Sequence, residues 1–271
     1  MSRQRMRRRS DSAEAESWWL AGRLPELAVL TAAAMLFAAP TGAGPPFRTD
    51  DPEPVDFGHF EIYLFSLGTW TTGASNGILP GLEMDYGAAP NLQLSTIIPL
   101  AYTAQEGGPG GVAPGDIELS AKYRFIVPDE GSWLPQVAVY PAVVLPAGNQ
   151  KLGFSTGHAQ VFLPLWLQKD FGPWTAYGGG GYWINPGAGN RNYSFVGTAL
   201  WRKTTDQLHL GIEGFHQTSP TSAMQASTGF DIGVIYDVSD TWHVLGSVGT
   251  GLQNRRETNL VSYYIAVSLT F

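Results

Sequence analysis

The chain has 271 residues, 44% hydrophobic and 14% charged, with 33 glycines, no cysteine and a formal net charge of −7. The charged fraction lies well below the roughly 25% of soluble domains, yet a mean hydropathy of −0.06 excludes a bundle of membrane-spanning helices. Without cysteine there are no disulfides and no thiolate metal sites, a composition that suits an oxidising envelope compartment.

Residues 1–43 read as a secretory signal peptide. Arg3, Arg5, Arg7, Arg8 and Arg9 give a basic start, 27–39 is an uncharged apolar run, and Thr41-Gly42-Ala43 places small residues at a cleavage site before Gly44. The apolar run is too short to span a bilayer, which takes about 20 residues. Asp11, Glu14 and Glu16 inside an overlong n-region, followed by Trp18-Trp19, depart from the usual form; a start site assigned too far upstream is the favoured explanation and a membrane anchor the alternative. Six arginines and four acids lie in this segment, so its removal leaves ten basic and nineteen acidic residues, a net charge of −9. No basic patch survives, which argues against a nucleic-acid partner.

Residues 44–56 carry prolines 45, 46, 52 and 54 and acids at Asp50, Asp51, Glu53 and Asp56. Prolines at this density forbid a regular helix or a central strand. The segment is an extended acidic arm with one apolar ring, Phe47. At ~3.1 Å per residue it reaches ~40 Å, far enough to enter a barrel lumen and narrow the pore as a plug; the alternative is a loose periplasmic tail, which this composition also suits. The inward Lys122 and Arg124 are expected within reach of its acids, and the glycines of 178–181 offer wall space.

From 57 onward, period-2 segments alternate with turn clusters. The fourth is the clearest: Ile117, Leu119, Ala121, Tyr123 and Phe125 share one face, while Asp116, Glu118, Ser120, Lys122 and Arg124 share the other. A strand separates these two sets completely and a helix would scatter them. About twelve such segments are expected, at 58–69, 77–87, 91–103, 114–127, 134–146, 158–169, 174–185, 193–203, 207–217, 228–238, 242–250 and 260–271. Short links at 87–90, 128–133, 170–173, 204–206 and 239–241 alternate with longer ones near 71–76, 104–113, 147–157, 186–192, 218–227 and 251–259. Barrels of the outer membrane sort their connections this way, with tight periplasmic turns and longer extracellular loops. Aromatic residues near strand ends are expected at the membrane interfaces: Trp70, Tyr86, Tyr102, Tyr123, Phe125, Trp133, Trp174, Trp183, Trp201, Trp242 and Tyr263.

In the last segment Tyr263, Ile265, Val267, Leu269 and Phe271 alternate with Ser268, Thr270 and other small residues. One face is wholly apolar, and a terminal Phe on such a strand resembles the C-terminal strand that the barrel assembly machinery reads in bacterial outer-membrane β-barrels. The expected fold is therefore all-β: a closed antiparallel transmembrane β-barrel of about 12 strands over 57–271. Closure is required because an open sheet edge in lipid would leave backbone groups unpaired. Twelve strands ~4.8 Å apart and tilted ~40° give a backbone radius of ~12 Å, hence a narrow pore.

Several short motifs carry a family resemblance. They are Pro45-Pro46-Phe47, Thr49-Asp50-Asp51-Pro52, Tyr86-Gly87, Pro90-Asn91-Leu92-Gln93-Leu94, Pro99-Leu100-Ala101-Tyr102, Gly115-Asp116-Ile117-Glu118, Lys122-Tyr123-Arg124-Phe125, Gln168-Lys169, Tyr177-Gly178-Gly179-Gly180 and Phe215-His216-Gln217-Thr218. The mature chain resembles the outer-membrane transporter family labelled "meta-pathway of phenol degradation". The resemblance implies an envelope barrel associated with uptake of small aromatic or other hydrophobic compounds, and it supplies no binding motif.

The enzyme readings find little support in the sequence. A barrel phospholipase needs a Ser activated by a His, typically as His-x-Ser. The residues two beyond His59, His158, His209, His216 and His243 are Glu61, Gln160, Gly211, Thr218 and Leu245. An omptin-like protease would want Asp-Asp and His-Asp pairs at the outer rim, but Asp50-Asp51 lies in the arm and no His-Asp dipeptide occurs. No two histidines share one strand face at metal-ligand spacing, and 178–181 lacks the Lys-Ser/Thr of a phosphate loop. What remains is a polar inward set that lines the lumen: Glu61, Glu83, Asp85, Asp116, Glu118, Lys122 and Arg124, extended by Glu213 and Asp231. It reads either as ion pairs filling a wet lumen or as a selectivity filter. The leading expectation is a passive outer-membrane channel for a small-molecule solute, without cofactor or metal and with lipid and the assembly machinery as partners. The alternatives are a non-conducting structural or adhesive barrel and, less favoured, an outer-membrane hydrolase.

Overall fold

The computed structural model describes residues 44–108, 110–129 and 131–271. The signal peptide expected over 1–43 lies outside the described residues. Twelve antiparallel strands follow the arm: β1 (Phe60–Thr71), β2 (Ala74–Ala89), β3 (Leu92–Gln105), β4 (Gly111–Pro114, continued as Ile117–Ile126), β5 (Gln136–Val139, continued as Ala142–Leu145), β6 (Gln160–Phe171), β7 (Trp174–Ile184), β8 (Tyr193–Lys203), β9 (Leu208–Gln217), β10 (Ser227–Asp237), β11 (Trp242–Gln253) and β12 (Val261–Thr270). Both pieces of β4 pair with β3, and both pieces of β5 pair with β4 and β6, so each is one strand interrupted once. The β5 break falls at Tyr140-Pro141, where proline withholds a ladder hydrogen bond.

Each strand pairs with its sequence neighbours, and β1 pairs with β12 from Glu61↔Thr270 to Trp70↔Val261, which closes the barrel. Among the described residues no strand edge is left to pair with another chain or to face lipid unpaired. The termini of this twelve-strand ring share one end, called near; the opposite end is far. Side chains alternate as period 2 dictates. Leu94, Ile98, Leu119, Leu163, Leu165, Val196, Ile212, Ile232, Val248, Ile265 and Val267 are exposed on the outer wall, a belt that only a hydrocarbon solvent makes favourable. Aromatic residues border it at both ends. Phe60 stacks with Tyr86 and Phe271 at the near end, and Trp70 packs on Tyr263 at the far end.

Three local expectations are corrected. The link near 71–76 is a tight hairpin over 72–73, because β1 and β2 run longer than the period suggested, and Gly73 supplies the positive φ of 79° that its turn requires. The near-end link after β4 is long, 127–135, because β4 bulges between Arg124 and Ile126 and β5 begins only at Gln136. Trp183 and Trp201 are not at a membrane interface. Both point inward and are buried, sharing the inner parity of Tyr177, Gly179 and Gly181 on β7 or of Phe195 and Ala199 on β8.

The lumen is filled, not hollow. Phe162, Trp166, Trp183, Tyr193, Phe195 and Phe215 form one inner aromatic wall across β6 to β9. Phe65, Ile78, Ile97, Leu245 and Ala266 form a second cluster opposite. Between Ile78 and Gly81 the β2 register shifts at Leu79-Pro80, so both flanking residues face inward. Gly81 is small because the Phe65 ring occupies the place of its missing side chain.

Candidate functional site

The arm threads into the near half of the lumen. It starts with a turn, Phe47 N–H donating to Gly44 O at 3.1 Å, and then runs extended toward β1. Its apolar ring seats first: Phe47 packs on Trp201, ring centroids 4.7 Å apart, above Gly233, where a Cβ would come within 2.6 Å of that ring. Pro46 O accepts the Ser247 hydroxyl at 2.7 Å. The next two residues bind one carboxylate. Glu213 accepts the Thr49 amide at 2.6 Å, the Thr49 hydroxyl at 2.5 Å and the Arg48 amide at 3.1 Å. The Arg48 guanidinium lies 4.6 Å over the Phe215 ring.

Opposite Glu213, Lys122 holds the acidic half of the arm. Its Nζ donates to Asp50 Oδ1 at 2.9 Å and to Glu53 O at 3.2 Å, and lies 3.6 Å from Asp51 Oδ1. Both Lys122 and Asp50 are buried. Burial pushes the Asp50 carboxyl up to about 7, against the lowering pull of Lys122. Gln136 and Gln168 donate to Glu53 Oε1 at 2.7 and 2.9 Å, and Val55 N–H donates to Gln93 Oε1 at 2.9 Å. Gly87 admits the arm backbone at Val55 and Asp56, where any side chain would collide.

The nine inward residues fall at three depths. Glu61, Glu83, Asp85, Lys122 and Arg124 occupy the near half. Glu61 accepts the Tyr63 hydroxyl at 2.8 Å, and Arg124 donates to Asn91 and Gln136 rather than to an arm acid. Glu213 and Asp231 face each other across the β9–β10 pair, and both are buried. Asp116 and Glu118 lie in the far half, where Asp116 accepts the Gly148 amide at 2.9 Å. The expected seat of the arm on the 178–181 glycines is corrected. The inner positions there, Gly179 and Gly181, make room for the Trp166 and Phe162 rings, and the arm instead meets Gly197 on β8, through Thr49.

Three cavities follow one another along the β1–β2 wall. The far one, about 70 Å³, is bounded by β1 to β8 and by the loops around Phe154, Asn190 and Thr221. The middle one, about 80 Å³, runs beside Pro45, Pro46, Phe47 and Arg48 and is flanked by Glu83 and Asp231. The near one, about 80 Å³, lies between the arm acids, Glu61, Glu83, Asp85 and Lys122. Leu67 and Thr69 line both the far and middle cavities, and Pro45 and Glu83 line both the middle and near ones. The arm therefore forms one wall of the two inner compartments.

A further cluster escaped the sequence reading. His209 of β9, Asp237 of β10 and His243 of β11 sit in one inward row at the near mouth. Asp237 Oδ1 is 2.7 Å from His243 Nδ1, and Oδ2 is 3.4 Å from His209 Nε2. The strand spans and parities do place all three inward, but only the register reveals that they are neighbours.

No protein-family model and no curated protein matches the chain. Among solved structures, an outer membrane channel from Pseudomonas putida F1 superposes with a TM-score of 0.70 at 13% identity, covering 85% of this chain and 100% of its own. The KdgM porin gives 0.53 at 11% identity, over 78% of this chain and 99% of that one. The NanC porin gives 0.52 at 10% identity, over 77% and 98%. At these identities the likeness is one of architecture, and this chain has the fold of the outer-membrane β-barrels.

Proposed function

We propose that this protein is a passive channel of the bacterial outer membrane that admits small solutes, with its near end in the periplasm. The observation that carries this reading is the line of three cavities through an otherwise filled, polar-lined lumen. A structural barrel has no need of such a line, and a hydrolase would need a nucleophile beside its base. Movement is downhill, driven by the solute's own gradient. The resemblance to the phenol meta-pathway family supplies the solute class: small aromatic or otherwise apolar compounds. The aromatic inner wall and the apolar sides of the far and middle cavities suit such compounds. The docked arm sets the resting conductance, so solute passage requires it to shift.

Planar-bilayer recording tests the reading. The purified protein is expected to show small unitary currents in KCl. A protein lacking 44–56 is expected to show larger conductance and higher open probability. A silent wild type together with a silent arm deletion, both folded as heat-modifiable barrels, would favour the structural or adhesive reading.

A further inference from the structure

The far cavity holds three polar groups that the protein itself leaves unanswered. Asn76 Nδ2, Trp183 Nε1 and Tyr193 OH have no hydrogen-bond partner among the described residues, although their side chains are at most 6% exposed, and all three residues line this cavity. A buried donor left unpaired costs about 1–3 kcal/mol, so such groups in a folded protein call for an occupant. Trp183 and Tyr193 cannot turn away easily. The Trp183 ring is paired with Phe162 on β6 and Tyr193 on β8, its two register partners, at 4.7 and 5.7 Å and interplanar angles of 13° and 11°. Several rows deeper, the Trp201 indole is satisfied by the Tyr177 hydroxyl at 2.9 Å.

The rest of the cavity limits what can answer these donors. Leu67, Ile78 and Val144 give it apolar sides, which suit a compact hydrocarbon body. Asp116 lines it and Glu118 lies on the same strand face, so an anion is repelled. The two N–H donors can be answered only by an acceptor, which an ammonium group lacks. We infer that the far cavity is a binding site for a neutral, compact solute bearing a hydrogen-bond acceptor oxygen, such as an amide, ketone or ester. The site faces the far mouth and is roofed by Phe154 and Ser155, so a solute would meet it before reaching the arm. This inference rests on the channel reading for its role but not for its chemistry.

The test uses 2-piperidone, a neutral lactam, beside piperidine, its cationic acceptor-free analogue, and pentanoate. In proteoliposomes of the full chain, 2-piperidone uptake is expected to saturate, while the other two show no saturation. The W183F/Y193F double variant keeps an aromatic ring at both positions and removes both polar groups. It is expected to raise the half-saturating concentration about tenfold, the loss of two ordinary hydrogen bonds. Calorimetry on detergent-solubilised protein reads the same affinity without any flux. Calorimetric binding of 2-piperidone that the double variant weakens sustains the inference even if the protein does not conduct, an outcome that would sink only the channel reading. Non-saturating uptake with no calorimetric binding, or equal affinity in wild type and double variant, overturns the inference while leaving a KCl-conducting channel intact.

Discussion

Removing the Glu213 carboxylate should release the arm. In the docked state that group accepts three hydrogen bonds, two from Thr49 and one from the Arg48 amide, and Thr49 is fully buried. Hydrogen bonds to a charged acceptor contribute about 1.5–3 kcal/mol each, though Thr49 and Arg48 recover much of this from water once undocked. A net loss of about 3 kcal/mol for Glu213→Ala multiplies the undocked population by roughly 100. Arg48 makes the shift readable, because it is the single basic residue of 44–56 and is followed by Thr49, a bond that trypsin cuts. When docking and undocking outpace cleavage, the cutting rate follows the undocked population. Cleavage between Arg48 and Thr49, followed by mass spectrometry on the folded protein, should therefore accelerate by about two orders of magnitude in the variant. Equal rates in wild type and Glu213→Ala would refute the latch. So would wild-type cleavage as fast as that of the denatured chain, since the arm would then not be docked at all.

Lys122→Met should be more damaging than Asp50→Asn, because it strands buried carboxylates without their cation, at a cost of about 3–5 kcal/mol. Joining the two substitutions should recover part of the loss, as the urea midpoint of the vesicle-inserted barrel would report, and strict additivity would count against the pair. Arg in place of the outward Leu119 or Val267 should cost roughly 2–4 kcal/mol near the bilayer midplane, while Trp133→Arg in the exposed 127–135 link should cost next to nothing. Reversal potentials in a KCl gradient should show a modest cation preference that D116N/E118Q reduces, and an anion-selective wild type would contradict it.

The barrel was legible because its two solvents differ. Along β4 the alternation from Ile117 to Phe125 against Glu118 to Arg124 is a direct print of lipid outside and a polar lumen inside. The links were legible where turn residues cluster and misleading at 71–76, where strands continue through polar residues. Trp183 and Trp201 were misplaced because an indole suits an interface and a filled lumen equally well. The deciding signal was the partner glycine on the same face: Gly181 beside Phe162, and Gly211 beneath the Trp201 ring. The site was legible only as a set of inward charges. Parity orients Glu213 and Lys122, but which arm residue each one holds depends on how the thirteen residues of 44–56 fold back. No period in the sequence encodes that path. The His209–Asp237–His243 row stayed hidden for a related reason, since it joins three strands through register alone.

Register also supplies a way to test the arm's path without touching a charge. Gly197 on β8 faces Thr49 so closely that an added Cβ would collide with the threonine hydroxyl, the same hydroxyl that Glu213 holds. Without the arm, the nearest remaining neighbour of that Cβ is the edge of the Phe195 ring at 3.3 Å, which can yield. A glycine inside a strand is otherwise unfavourable relative to alanine by roughly 0.5–1 kcal/mol, through the backbone entropy it loses on folding. Gly197→Ala should therefore change sign with background. In the full chain it should loosen the arm and hasten the Arg48 cut; in the protein lacking 44–56 it should raise the urea midpoint slightly. Gly214 on β9 is the control, since nothing lies within 4 Å of its added Cβ. Gly214→Ala should stabilise both backgrounds alike and leave the cutting rate unchanged. If Gly197→Ala has the same effect with and without 44–56, Thr49 does not rest on that strand, and the path of the arm through the lumen has to be redrawn.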